Sequence, residues 1–162
     1  MFNKNKPILG LDIGRLILQN DTDTDVPRGE RRPFRRVEGS FEGVRELKDR
    51  FDGQVALVSK CGGVTQIRTR ECFDHTQFYE VTGVNPNHVF FCEERKGKAA
   101  ICDYLGVTHF ADDRLQVLGY LHSVKHRYLF NAREQEIREN YQHLPYVVQV
   151  ANWEELLAVC YP

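Results

Sequence analysis

The sequence predicts an α/β protein, a Rossmann-like three-layer sandwich with a mainly parallel central sheet of about five to six strands. Two observations carry most of this. Short apolar runs alternate with segments of helical period along nearly the whole chain, and a strand–helix alternation builds a parallel sheet covered on both faces. The third is size: 162 residues, 41% of them hydrophobic and 28% charged, suit a single globular domain with a real core.

Taken in order, "ILGLDI" (8–13) and "QVALVS" (54–59) read as buried strands, and "HVFF" (88–91), "VTHFA" (107–111) and "RYLF" (127–130) as three more. A short sixth strand is expected at "YVVQV" (146–150). Helical period marks 41–51, 64–73, 96–106, 114–124, 132–142 and 152–160. Gly106 stands where a helix C-cap is needed, and Asn152 where the last helix needs an N-cap. Trp153 is expected to pack that last helix onto the sheet. Nothing marks a second domain, so residues 1–162 read as one.

One segment departs from the alternation. Residues 19–39, "QNDTDTDVPRGERRPFRRVEG", hold three Asp followed by five Arg and keep no sustained period. They are expected to form a flexible flap, because loops of this length are functional or disordered. Asp21, Asp23 and Asp25 alternate like the start of a calcium loop. Such a loop needs Gly at its sixth position and Glu at its twelfth, where this chain has Val26 and Arg32.

Several function classes are excluded. A net charge of −1 gives no general attraction to nucleic acid or anionic membrane. The first apolar run ends at Asp12, too early for a secretory leader or a membrane span; a cytoplasmic location is expected. The five cysteines include no C-x-x-C pair, and Cys92 and Cys102, set in apolar patterns, read as buried free thiols. "CGGVTQIR" fails as a cysteine-phosphatase loop, because its arginine, Arg68, comes one position too late. His122 and His126, four apart on an expected helix, lack a third metal ligand and read as surface or packing residues.

The chemistry is expected at the carboxyl ends of the strands, where open parallel sheets bind ligands. Asp12 and Gly14 follow the first strand, Ser59 and Lys60 the second, and Asp112 and Asp113 the fourth. Lys98 opens the helix before that fourth strand. Clustered carboxylates repel unless protonated or bridged by a cation. Mg²⁺ suits them, being a hard ion that completes its shell with phosphate and water. An Asp beside such an ion can attack phosphorus.

"LGLDIG", "VALVSK", the Lys98 helix and "VTHFADDRLQVL", in this order, resemble the haloacid dehalogenase superfamily, mostly magnesium-dependent phosphatases. The resemblance implies a nucleophile and metal ligand at Asp12, a phosphate-binding Ser59, a motif lysine at Lys98 and further metal ligands at Asp112 and Asp113. It also implies that the Gly14 carbonyl faces the metal. The sequence departs from the family at Gly14, where phosphatases usually carry a second Asp as general acid and base. Such a group contributes roughly 10² to 10⁴ in rate. Two readings therefore stand: a phosphomonoester hydrolase, or a weak or inactive module that holds Mg²⁺ and a phosphorylated ligand. Glu30, Asp23 or Asp25 of the flap are candidate substitutes for the missing acid.

The gaps between motifs leave no room for an inserted cap domain, so an open mouth accepting a bulky substrate is expected: a nucleotide, a polynucleotide end or a phosphoprotein. Arg28, Arg31, Arg32, Arg35 and Arg36 follow the first strand, and guanidinium groups grip phosphate. Arg31 and Arg32 are candidate phosphate ligands. With Phe34 placed to stack on a base, nucleic acid is one partner class that the flap fits; a solvated loop is the other reading.

Overall fold

Ile8 and Leu9 are neighbours in sequence, both fully buried, and they belong to different cores. The same division splits Val55 and Leu57 from Ala56 and Val58. Side chains alternate across a strand, so a continuous apolar run can be buried on both faces only inside a covered sheet.

The computed structural model describes residues 1–20 and 34–162. The chain begins with β1 (Leu9–Leu11), β2 (Leu18–Asn20), β3 (Phe34–Arg36), α1 (Ser40–Arg50) and β4 (Val55–Lys60). Next come α2 (Gly63–His75), α3 (Phe78–Thr82), β5 (Val89–Cys92), α4 (Gly97–Leu105) and β6 (His109–Asp112). The last third holds α5 (Leu115–Tyr120), β7 (His126–Phe130), α6 (Glu134–Glu139), β8 (Val148–Val150) and α7 (Trp153–Val159). Short 3-10 turns occupy Pro86–His88 and Tyr141–Tyr146.

Six strands form one parallel sheet in the order β5-β4-β1-β6-β7-β8. In register, Leu9 lies between Val55 of β4 and His109 of β6. The chain first builds outward from β1 through β4 to β5, then crosses back to lay β6 on the other side of β1. Strand order reverses there, and a crevice opens at the carboxyl ends of β1 and β6.

The two caps stand where the sequence places them. Gly106 closes α4 at φ 75°, a conformation that favours glycine. The Asn152 side chain accepts the Glu155 N–H at 2.9 Å and opens α7. Trp153 is buried, its indole N–H donating to the Leu16 carbonyl at 2.8 Å.

Three expectations are corrected. The segment 19–39 is not wholly irregular: its described ends belong to an antiparallel pair, β2 with β3, in which Leu18 faces Arg36. The expected helix 132–142 is α6 followed by a 3-10 turn, the helix ending at Asn140, whose side-chain amide donates to the Glu136 carbonyl at 3.0 Å. His122 and His126 share no helix. α5 ends at Tyr120, and His126 begins β7, where its ring stacks on His109 with centroids 4.3 Å apart.

His109 is buried, 3% exposed, and edge-on to Phe51 at 5.0 Å. Burial, aided by neighbouring His126, pushes its imidazole down to about 4 from 6.5. The unfolded imidazole takes up a proton below pH 6.5 that the folded one refuses until about 4. Its contribution to stability is therefore lost as pH falls through that window, by at most about 3 kcal/mol. Urea unfolding at pH 4.5 and 7 should show the wild type losing stability to acid relative to His109→Phe. A difference between the two proteins that ignores pH would refute this.

Candidate active site

Asp12 follows the last paired residue of β1, its own N–H donating to the Ala111 carbonyl at 3.0 Å. That bond prolongs the β1–β6 ladder and brings Asp12 beside Asp112 and Asp113 at the end of β6. All three are buried, and one carboxylate oxygen from each lies within 4.8 Å of the others. No local pattern dictates this meeting; the adjacency of β1 and β6 does.

Lys98 reaches the same point from the first turn of α4. Its Nζ donates to Asp12 Oδ1 at 2.6 Å and to Asp112 Oδ2 at 2.7 Å. Gly97 allows the approach, since a Cβ there would come within 3.0 Å of Cys92 Cβ on β5. The other Asp112 oxygen accepts the Arg114 N–H at 2.8 Å. Asp113 Oδ2 is 3.3 Å from the Arg15 guanidinium and 3.7 Å from that of Arg114. Glu136 in turn accepts from the Arg114 guanidinium at 3.1 Å and from the Gln116 N–H at 3.1 Å.

The electrostatics are unbalanced in one direction. Burial raises the Asp12 carboxyl above its usual range despite Lys98, with Asp113 adding repulsion. Burial raises Asp112 to about 6, with Asp12 adding repulsion against the pull of Lys98. It also raises Asp113 to about 6, with Asp112 contributing. Lys98 moves oppositely: burial disfavours its charge, but Asp112 and Asp12 together hold it protonated. Lys98 is shared between Asp12 and Asp112, while the Arg15 and Arg114 guanidinium groups face Asp113. The donor set is three clustered carboxylates, oxygen only, so these residues fit a hard divalent cation.

A cavity of about 260 Å³ opens over this cluster. Gly14, Ser59 and Lys60 line it, as do Arg15, Arg95, Arg114 and Val117. The sequence-predicted Asp12, Gly14, Ser59, Lys60, Lys98, Asp112 and Asp113 thus share one opening. Arg31 and Arg32 lie outside the described residues, as do Arg28, Glu30, Asp23 and Asp25. Arg36 is bonded to Glu42 and lies over the Phe41 ring, while Arg68 lies 4.9 Å over Phe34.

Arg15, Arg95 and Arg114 escaped the reading of the sequence. Arg15 and Arg114 each directly follow an acid motif, and that adjacency was the available signal. Arg15 adopts φ 60°, and it donates to the carbonyl of Asn131 at 3.3 Å, itself at φ 42°. The left-handed region costs an ordinary side chain roughly 1 to 2 kcal/mol. Arg15, which lines the cavity, bears this cost, in keeping with the tendency of strain to gather at functional sites.

No family model matches the sequence, and no curated protein matches it. Solved structures do resemble the fold. One is the cobalt-bound deoxy-D-mannose-octulosonate 8-phosphate phosphatase of Haemophilus influenzae, with TM-score 0.56 and 14% identity, over 95% of this chain and 86% of that one. Another, from Vibrio cholerae, is assigned as a 3-deoxy-D-manno-octulosonate 8-phosphate phosphatase, with TM-score 0.58 and 14% identity, over 98% and 83%. The chain thus shares the α/β fold of these two proteins. Among the described residues no helix is long and apolar enough to cross a membrane.

Proposed function

We propose that this protein is a metal-dependent phosphatase of the haloacid dehalogenase type, with Asp12 as nucleophile. The observation that carries the reading is the convergence of Asp12, Asp112 and Asp113 at the switch point of the sheet, tied by Lys98. The fold shared with two proteins described as phosphatases supports it. Asp12, Asp112, Asp113 and the Gly14 carbonyl would hold the cation, for which Mg²⁺ is proposed. A divalent ion there would offset the charge of an incoming phosphate and polarise its phosphorus.

In this reading Lys98 holds Asp12 in place at the cavity, while Ser59 and Lys60 take phosphate oxygens. Arg95 and Arg114 add fixed positive charge at the mouth. The chain acts as one domain without a large cap, so the proposed substrate includes bulky phosphorylated molecules. Among the described residues, Phe34 and Arg36 are engaged within the chain and lend nucleic acid no support.

Gly14 favours a second reading, a module that binds the same ligands without turning them over. Phosphate release from p-nitrophenyl phosphate separates the two. Release that depends on Mg²⁺, stops with a chelator and returns with added ion is expected of the enzyme. If Mg²⁺ and a phosphate mimic raise the melting temperature while release stays at background, the module reading replaces it.

A further inference from the structure

Glu136, on α6, is a buried acid set behind the cavity rather than in its lining. One of its oxygens accepts the Arg114 guanidinium and the other the Gln116 N–H, both at 3.1 Å. Both bonds end on residues at the start of α5, directly after Asp112 and Asp113. The first N–H groups of a helix need acceptors from outside it. The side chain of Arg114, at the N-cap of α5, supplies none. Glu136 supplies one from 20 residues away.

The same carboxylate thereby fixes two guanidinium groups. Arg114 is held directly. Arg95 is held through Gln116, whose side-chain oxygen accepts from the Arg95 guanidinium at 2.8 Å. Both arginines line the cavity together with Lys60. Arg95 is exposed and its acceptor is a neutral amide, so the bond places the charge without cancelling it. Arg114 gives one terminal nitrogen to Glu136, and a guanidinium carries five N–H donors in a rigid fork. An arginine that grips a ligand loses side-chain freedom, and holding it in place beforehand lessens that cost.

We propose that Glu136 is a positioning residue: through Arg114, and through the Gln116–Arg95 link, it aims two guanidinium groups at a second anionic group on the phosphorylated substrate. The inference rests on the phosphatase reading above and narrows its substrate class to phosphomonoesters whose remaining part carries a carboxylate or a further phosphate. Either anion presents paired oxygens that match the guanidinium fork. Ser59, Lys60 and the cation take the phosphoryl group that is transferred, and Arg95 and Arg114 take the other anion. Neither arginine makes or breaks a bond, so what they contribute appears in binding more than in the chemical step.

The test uses three compounds on one three-carbon frame, at saturating Mg²⁺: glycerol 3-phosphate, 3-phosphoglycerate, which adds a carboxylate, and glycerol 1,3-bisphosphate, which adds a phosphate. KM and kcat are measured in the wild type, Glu136→Gln, Arg95→Met and the double variant. In the wild type KM should be about tenfold or more lower for a compound with the added anion than for glycerol 3-phosphate, the scale of a hydrogen bond between charged groups. Which of the two compounds shows the preference identifies the anion as carboxylate, phosphate or either. Each single variant should erase most of the preference through KM, with a smaller change in kcat. The double variant should lose less than the product of the two single losses, because both act through the Arg95 guanidinium. Arg95→Met removes an exposed side chain, so it tests the guanidinium even where melting shows that Glu136→Gln does not fold. Equal wild-type KM for all three compounds, a Glu136→Gln loss confined to kcat, or multiplicative losses in the double variant would overturn the proposal and leave the phosphatase reading standing. Release neither from these compounds nor from p-nitrophenyl phosphate would overturn that reading, and this one with it.

Discussion

Asp12→Asn is expected to lower Mg²⁺-dependent phosphate release by roughly 10⁴-fold or more, the scale seen when a covalent nucleophile is removed. The amide is nearly isosteric with the carboxylate, so the cavity and the strands around it should be unchanged. Stability offers an independent check. Asp12 is one of three buried carboxylates, and burial together with Asp113 raises it despite Lys98. Neutralising it removes repulsion, so the variant should unfold no earlier than the wild type. Stopped-assay phosphate release and thermal melting together decide the matter. Wild-type turnover in a folded Asp12→Asn would remove Asp12 from the mechanism.

Lys98→Met should produce the largest loss of stability. Lys98 has a side chain 3% exposed and bridges two carboxylates at 2.6 and 2.7 Å. Methionine fills similar volume, but it leaves Asp12 and Asp112 facing each other without a cation. Breaking a buried ion pair from one side costs about 3 to 5 kcal/mol, which lowers the melting temperature by roughly 10 °C in a chain of this size.

The pH dependence has a definite sign. Burial holds Asp112 at about 6 in the folded state, above its unfolded value of 3.8. Such a carboxylate opposes folding when ionised and stops doing so as pH falls through about 6. The deficit of Lys98→Met should therefore be large at pH 7.5 and shrink toward pH 5. Divalent ions should recover part of it at neutral pH by replacing the lost charge. Identical melting curves for the variant and the wild type at pH 7.5 would contradict this account of the site.

Most of the site was legible because parallel strands all present their carboxyl ends to one side of the sheet. Any polar residue that ends an apolar run is then a candidate for the same opening. Asp12, Ser59, Lys60, Asp112 and Asp113 each stand at such an end, which is why they line one cavity. Lys98 was found through its place in the motif order. Arg15 and Arg114 were not, because their roles depend on partners distant in sequence. Arg15 meets Asp113 and Asn131, and Arg114 meets Glu136. A charged residue in a loop has no period to betray its partner.

By itself, the sequence determined the class of fold, the places of the caps at Gly106 and Asn152, and the set of acids at the strand ends. These follow from local rules: alternation, helical period, backbone freedom and capping chemistry. Tertiary structure alone decided that β1 lies between β4 and β6, which turns separate acids into one cluster. It also decided that Phe34–Arg36 folds back on Leu18–Asn20 as a strand pair. Three-residue strands are too short to display a period, and long-range pairing is selected by the burial of whole faces rather than by neighbouring residues.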